Sequence, residues 1–256
     1  SISMEYQEQV IQAIKKARLK KLANIRRAGI NPYPSKVGRT HTIKQALDDF
    51  EKIISSKSRL ILAGRLRSIR EHGGSAFAHL EDATAQGQLY FKKDELGEEK
   101  YKFFLANFDL GDFLEAEGEM FLTKRGEKTL LVKDFRILAK SLLPLPEKWH
   151  GLKDREERFR KRYLDLIMNK EVREKFLLRS QIIRLVREFL EKSGFIEVET
   201  PILQLIPGGA LARPFKTHLN AFDLDLYLRV APELFLKRFL IGGFESVFEI
   251  GRNFRN

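Results

Sequence analysis

Four groups of residues in this 256-residue sequence have types and spacings suited to chemistry. The first is Arg255, in the run Phe248-Glu-Ile-Gly-Arg-Asn-Phe-Arg-Asn256. A guanidinium is a planar fork that can hold a phosphate and a carboxylate together, which an ammonium does less well. The bland alternative for such an arginine is a surface ion pair. The second group is Ala231-Pro-Glu-Leu-Phe-Leu-Lys237, in which Glu233, taken alone, is a first-turn helix glutamate of the kind the helix dipole favours. The third is Gly208-Gly209, which lets backbone approach a ligand closely. The fourth pairs Gly64-Arg-Leu-Arg-Ser-Ile-Arg70 with Phe77-Ala-His-Leu-Glu-Asp82. Arginines at alternating strand positions share a face, and a nearby aromatic offers a platform on which unpaired bases stack. Phe77 is otherwise a core residue, as most aromatics of small barrels are.

These groups must be held by a chain whose composition narrows the options. A hydrophobic fraction of 43% and a charged fraction of 32% describe a globular chain long enough for two domains. No run of about 18 apolar residues is present, which excludes a membrane-spanning helix. The start, Ser1-Ile-Ser-Met4, lacks the basic and apolar regions of a signal peptide. Cysteine is absent, so disulfides and thiolate zinc sites are impossible, in keeping with a cytoplasmic location. The five histidines (His41, His72, His79, His150, His218) have no close metal-ligand spacing, and no zinc site is expected. The net charge of +12 favours a polyanionic partner, nucleic acid above all.

The positioning elements follow from periodicity and punctuation. Tyr6 to Ala28 has a helical period, with a basic remainder that either is solvated or lies along phosphates. Gly29, Pro32 and Pro34 end it. A short helix is expected from Thr42, its cap, to Ile54. Strands are expected at Leu60–Ile69, Ser75–Leu80, Gln88–Phe91, Phe113–Thr123 and Thr129–Leu138, with a helix from Glu98 to Ala106 after the third. Gly73-Gly74 and Lys124-Arg-Gly-Glu127 join hairpins. Five strands with a helix after the third is the layout of an oligonucleotide-binding (OB) barrel, although other small barrels share the count. Pro144-Leu-Pro146 marks a linker. Beyond it the pattern predicts helices from Arg155 to Ile167 and from Val172 to Ser193, strands at Phe195–Glu199 and Leu224–Val230, a helix starting near Pro232, and a last strand at Ser246–Arg252. The fold class read from this order is α+β. Its parts are a basic helical segment over 1–58, a five-stranded barrel over 59–143, and an antiparallel-sheet domain over 144–256.

The motifs, taken in order, carry a closer likeness. Phe195-Ile-Glu-Val-Glu-Thr-Pro-Ile-Leu-Gln204, Pro207-Gly-Gly-Ala-Leu-Ala-Arg-Pro-Phe215 with an Asp223-Leu-Asp225 strand after it, and Phe248 to Asn256 together resemble the first half of the catalytic domain of class II lysyl-tRNA synthetases. Gly64-Arg65, Phe77, Leu80, Asp82 and Gln88-Leu-Tyr90 match the anticodon-binding barrel shared by the aspartyl, asparaginyl and lysyl synthetases. The resemblance implies an ATP-dependent ligation of lysine to tRNA(Lys) through lysyl-adenylate. It implies that Phe77 stacks on an anticodon base, that Gln88 reads the central uridine, and that Arg65 and Glu127 lie at the same site. Arg125 and Lys128 flank Glu127 and raise the local charge. In the catalytic half it implies that Arg255 contacts both the ATP α-phosphate and the substrate carboxylate. Glu233 would hold the lysine α-ammonium, and the carbonyl of Gly209 would face the same group. Motif 1, Arg179–Ser193 with Phe195–Pro201, would form a homodimer interface. The chain stops inside motif 2, so the resemblance further implies a fragment inactive on its own, with the Mg²⁺ ligands beyond residue 256. The alternative is a non-enzymatic tRNA-binding protein built from the barrel and a remnant domain.

Overall fold

The computed structural model describes residues 2–146, 152 and 154–256, so His150 lies outside the described residues. The chain forms two compact units, Ser1–Lys153 and Asp154–Asn256.

In the first unit, helix α1 (Ile2–Arg27) ends before Gly29, which takes a positive φ of 75°. The single helix expected from Thr42 to Ile54 is broken into α2 (Ile43–Asp48) and α3 (Phe50–Ser56). Thr42 and Gln45 form a reciprocal capping box that starts α2. Asp49 leaves the helical region at ψ 16°, so the chain turns and presents Ile43, Ala46, Phe50 and Ile53 to the same core. That correction comes from tertiary packing, which outweighs local helix propensity.

Five strands follow: β1 (Arg59–His72), β2 (Ser75–Glu81), β3 (Gln86–Lys92), β4 (Phe113–Leu122) and β5 (Lys128–Ala139). Two helices, α4 (Lys93–Leu96) and α5 (Glu98–Asn107), lie between β3 and β4. The strands close into a barrel in the order β1-β2-β3-β5-β4, with β3 and β5 parallel and the other neighbours antiparallel. Burial alternates along β2, β3 and β4, the signature of one face turned inward. The inward row includes Leu66, Ala78, Leu80, Leu89, Leu114, Leu130 and Val132, all fully buried, while Phe91 stacks on Phe104 of α5 at 3.9 Å between ring centroids. At Gly118 a side chain cannot fit, because an added Cβ would lie 2.0 Å from the carbonyl oxygen of Leu131.

The strand β1 carries a bulge. Leu66 pairs with Leu80 but Ser68 pairs with His79, which leaves Arg67 as the extra residue. Arg65 and Arg67 face outward before the bulge. After it the outward set is Ser68 and Arg70, while Ile69 packs against the core. The arginine face expected from simple alternation thus extends to Arg70 only because the strand is irregular.

A buried charge cluster fastens the base of the barrel. The Lys140 ammonium, fully buried, contacts Asp109 at 2.5 Å and Asp112 at 2.7 Å. Lys21 of α1 reaches Asp109 at 2.6 Å, and Arg18, also buried, donates to the carbonyls of Leu110, Ser141 and Leu143. Helix α1 is therefore tied to the barrel and to the first residues after it by polar contacts as well as by Leu22 and Ile25.

The second unit is built from α6 (Arg155–Arg160), α7 (Arg162–Met168), the long α8 (Lys170–Lys192), β6 (Ile196–Glu197), β7 (Leu203–Gln204), β8 (Lys216–Leu219), β9 (Leu224–Leu228), α9 (Glu233–Ile241) and β10 (Val247–Phe248). The continuous helix expected from Arg155 to Ile167 breaks at Lys161, whose ψ of 51° is not helical. Asp165, fully buried, gathers Arg158, Arg162 and Asn169 across that break. Strands β7, β9 and β8 form an antiparallel sheet, whereas β6 and β10 pair in parallel. The strands expected at Phe195–Glu199 and Ser246–Arg252 therefore shorten to two paired residues each, and Glu249 to Asn256 continues outside any strand.

The cluster around Lys140 sets two expectations. Lys140→Met leaves the buried Asp112 without its cation, and Asp109 with Lys21 and Arg18 alone, and should cost about 3–5 kcal/mol of barrel stability, read as a lowered urea midpoint. For Asp109, burial opposes ionisation, but hydrogen bonds and charge from Lys140 and Lys21 outweigh it and hold the pKa below the ordinary aspartate value. A carboxyl whose folded pKa is depressed contributes fully above its unfolded value, near about 3.9, and loses that contribution as pH falls through the folded value. An acid titration of stability below about pH 4 should accordingly be steeper in the wild type than in Lys140→Met.

Candidate nucleobase and amino-acid sites

The outer face of the barrel assembles two rows of side chains, because residues on adjacent strands pair directly across the ladder. One row is Arg70, Phe77, Tyr90 and Leu131; the next is Ser68, His79, Gln88 and Thr129. Phe77 is half-buried and stands outside the core cluster, with its ring stacked on Tyr90 at 4.6 Å and 23°. Tyr90 in turn contacts Phe121 at 5.9 Å. Three rings therefore form an aromatic strip on the outside of the barrel, which overturns the core reading of Phe77.

The adjoining polar row is ordered by the β4–β5 turn. Thr123 accepts from Glu127 N through its hydroxyl and donates its own N–H to the Glu127 carbonyl, both at 3.0 Å, while Gly126 takes a φ of 80°. This turn lays the Glu127 carboxylate over Gln88. Electrostatics orients the Gln88 amide with its nitrogen toward that carboxylate, where it donates to Oε1 at 2.7 Å. His79 Nδ1 lies 2.7 Å from Ser68 Oγ, and its Nε2 lies 3.8 Å from the same Glu127 oxygen. The structure thus brings Phe77, Gln88 and Glu127 together.

Arg65 takes a different place. It packs over the Phe113 ring at 4.4 Å, and its Nη1 donates to the Gly111 carbonyl at 3.3 Å. Burial and the neighbouring Arg67 push the pKa of its guanidinium below the ordinary arginine value, and Glu81 opposes that shift. On the ladder it pairs with Glu81, one row beyond His79. Lys128 does not add to the charge at Glu127, because its ammonium donates to the Leu47 carbonyl and sits over the Phe50 ring. Asp82 serves α2: it accepts from Ile43 N at 2.9 Å and from the Thr84 and Ala85 amides.

In the second unit Gly209 takes a φ of 85°, and a Cβ added there would meet the Cβ atoms of Ala231 at 3.2 Å and Glu233 at 3.1 Å. The glycine backbone and the Glu233 carboxylate are therefore neighbours. Glu233 begins α9 and also forms an i,i+4 pair with Lys237 at 2.6 Å. Arg255 is exposed, on a segment fixed by backbone hydrogen bonds on both sides of it. Phe254 N donates to Arg229 O at 3.0 Å and Asn256 N donates to Arg213 O at 2.8 Å. Its chain consequently runs beside the strand that leads into Glu233 and the loop that leaves Gly209.

Both units also match known protein families in sequence. A model described as an OB-fold nucleic acid binding domain matches residues 60–138, and one described as tRNA synthetases class II (D, K and N) matches residues 154–256. The lysine–tRNA ligase of Carboxydothermus hydrogenoformans is 53% identical over 99% of this chain and 51% of the relative. Those of Pelotomaculum thermopropionicum and Thermotoga maritima are 51% and 47% identical, over 97% and 96% of this chain and 49% and 50% of theirs. The chain belongs to the class II lysyl-tRNA synthetase family. It spans about half the length of the curated relatives it matches. No helix among the described residues is long and apolar enough to cross a membrane.

The residue that orders the motif 2 approach in this family member was not evident from sequence. Arg229 is 2% exposed, and its guanidinium donates to Arg252 O at 2.8 Å, to Thr200 Oγ1 at 2.9 Å and to Glu249. Thr200 also donates to Glu249 at 2.7 Å. Gly251 must lack a side chain, since a Cβ would collide with the Arg229 guanidinium at 2.1 Å. An arginine in an apolar strand end carries no signal of this role, because its partners lie 29 residues before it and 20 and 23 after. Arg229→Met leaves Glu249 buried without its cation. It should destabilise the second unit by about 3–5 kcal/mol, checked by hydrogen exchange of the amides of Arg229 and Phe254.

Proposed function

We propose that this chain supplies the anticodon-reading barrel and the opening part of the catalytic domain of an ATP-dependent lysine–tRNA ligase. The barrel assignment rests on the aromatic strip at Phe77, Tyr90 and Phe121, which lies beside the Gln88–Glu127 pair on a solvent-facing sheet. Stacking supplies affinity for an unpaired base, and the polar pair addresses its edge. Arg65, stiffened over Phe113, adds positive charge on the same face. The net charge of +12 supports association with a polyanion such as tRNA(Lys).

For the catalytic half, the support is the adjacency of Gly209 and Glu233 and the course of the Arg255 segment beside both of their chains. A carbonyl and a carboxylate together suit an α-ammonium, and a guanidinium suits the carboxylate of the same amino acid along with the ATP α-phosphate. In lysine activation the amino-acid carboxylate attacks the α-phosphorus in line and pyrophosphate leaves. No protein nucleophile is needed, so positioning and charge neutralisation carry the rate. Mg²⁺ would supply further neutralisation of the phosphates when bound. The described residues include no cluster of three or more His, Asp or Glu able to hold it, and no step here is routed through it. The long α8 leaves Phe176, Ile182, Leu185, Val186 and Phe189 exposed, which supports a homodimer through motif 1. A cytoplasmic setting fits the cysteine-free composition.

Binding of a stem-loop RNA with uridines at the loop centre tests the barrel. Phe77→Ala should weaken it by about 1–3 kcal/mol in fluorescence anisotropy, with log affinity falling linearly in log salt for both proteins. Unchanged affinity would remove the stacking role. In a chain of the relatives' full length, Arg255→Ala should abolish lysine-dependent exchange of labelled pyrophosphate into ATP. Glu233→Gln should weaken lysine roughly tenfold to a hundredfold in the same assay. RNA binding in a full-length chain without such exchange would favour the non-enzymatic reading.

A further inference from the structure

We infer that His79 is a base-selecting residue of the barrel face, held by Ser68, which lets the site prefer uracil to cytosine. This rests on the reading of the aromatic strip as a nucleobase platform.

The observation is an arrangement of donors and acceptors. His79 and Gln88 are direct cross-strand partners, so their side chains leave the sheet next to each other. The Gln88 nitrogen lies against both oxygens of Glu127, at 2.7 Å from Oε1, and His79 Nε2 lies 3.8 Å from that same Oε1. The nearby carboxylate favours the tautomer with hydrogen on Nε2, because a ring lone pair aimed at a carboxylate would be repelled. That tautomer leaves Nδ1 as an acceptor, and Ser68 Oγ at 2.7 Å donates to it. The imidazole is thereby fixed in both rotation and protonation pattern by a residue on the neighbouring strand, at a ladder position created by the bulge at Arg67.

At 3.8 Å the Nε2–H is too far from Glu127 for a direct hydrogen bond and keeps its capacity to donate. One hydrogen of the Gln88 amide, shared between the two Glu127 oxygens, leaves the second free to donate, and the carboxylate has lone pairs to spare. Two N–H donors therefore converge on one acceptor. The Watson–Crick edge of uracil presents an acceptor, a donor and an acceptor, which complements that set. Cytosine presents a donor, an acceptor and an acceptor. Its exocyclic amine would face an N–H, and its ring nitrogen would face a carboxylate. Like groups facing each other at a desolvated edge discriminate more strongly than a missing contact, since each leaves a polar group unpaired. A row holding only Gln88 and Glu127 would satisfy one carbonyl and the imino hydrogen of uracil. His79 provides for the second carbonyl.

The test compares two stem-loop RNAs, one with three uridines at the loop centre and one with the middle uridine changed to cytidine. Binding to the full chain is followed by fluorescence anisotropy. The wild type should prefer the uridine loop, and His79→Ala should reduce that preference about fivefold to tenfold, the worth of one base-edge hydrogen bond. His79→Gln, whose amide nitrogen reaches a similar position, should retain most of it. Ser68→Ala should lose part of it by freeing the ring. An unchanged ratio in His79→Ala overturns the proposal, and so does an equal loss of both RNAs. Phe77→Ala separates the two levels of the argument. If it weakens both RNAs while His79→Ala leaves the ratio intact, the platform stands and the role of His79 falls. If Phe77→Ala changes nothing, the platform falls as well.

Discussion

Closure is the constraint on which the first unit depends. Once β1 pairs with β4 and β3 pairs with β5, no strand edge of the barrel is left free, and every side chain must point either into a filled interior or out to the surroundings. The interior is taken by Leu66, Leu80, Leu89, Leu114, Leu130 and Val132, with α5 closing over Phe91 through Phe104. Whatever chemistry the barrel does is consequently confined to the outward rows. Phe77, Tyr90 and Phe121 are apolar rings on that side, and they have no core reason to be there.

The second unit uses a different device. Its paired strands are short, and the segment carrying Arg255 belongs to none of them. Order there comes from one buried guanidinium, Arg229, which binds two carbonyl oxygens, a hydroxyl and a carboxylate drawn from two other stretches of chain. Replacing the whole set of partners by apolar groups of the same shape would cost little net stability, whereas removing the guanidinium alone strands Glu249, and the hub as it stands fixes direction. The backbone carbonyl of the same residue receives Phe254 N, so side chain and main chain of Arg229 hold opposite ends of one loop.

Much of this was legible in the sequence because it depends on local signals. The five barrel strands and their hairpin turns follow from alternation and glycine, and the grouping of Phe77, Gln88 and Glu127 follows from motif spacing that the ladder register then realises. Gly209 and Glu233 likewise proved to be neighbours. The breaks at Asp49 and Lys161 were not legible, since each is enforced by partners distant in sequence or by a buried carboxylate such as Asp165 that reads as an ordinary surface residue. Arg229 and the Lys140 cluster escaped for the same reason. A charged residue looks solvated until its counter-ions are known, and theirs lie across the fold. Ser68 and His79 escaped because their meeting requires a ladder slip that leaves no compositional trace.

That slip at Arg67 has a consequence for how the barrel can change. Were β1 regular at that point, with Arg67 opposite His79, Ser68 and Arg70 would turn toward the oily interior and Ile69 toward water, with no residue changed. The unpaired residue in the strand, more than the identity of its neighbours, is the address that delivers the imidazole's partner to the correct side of the wall. Substitution along this stretch is a matter of degree, whereas a pairing shifted by one residue changes which surface the protein has.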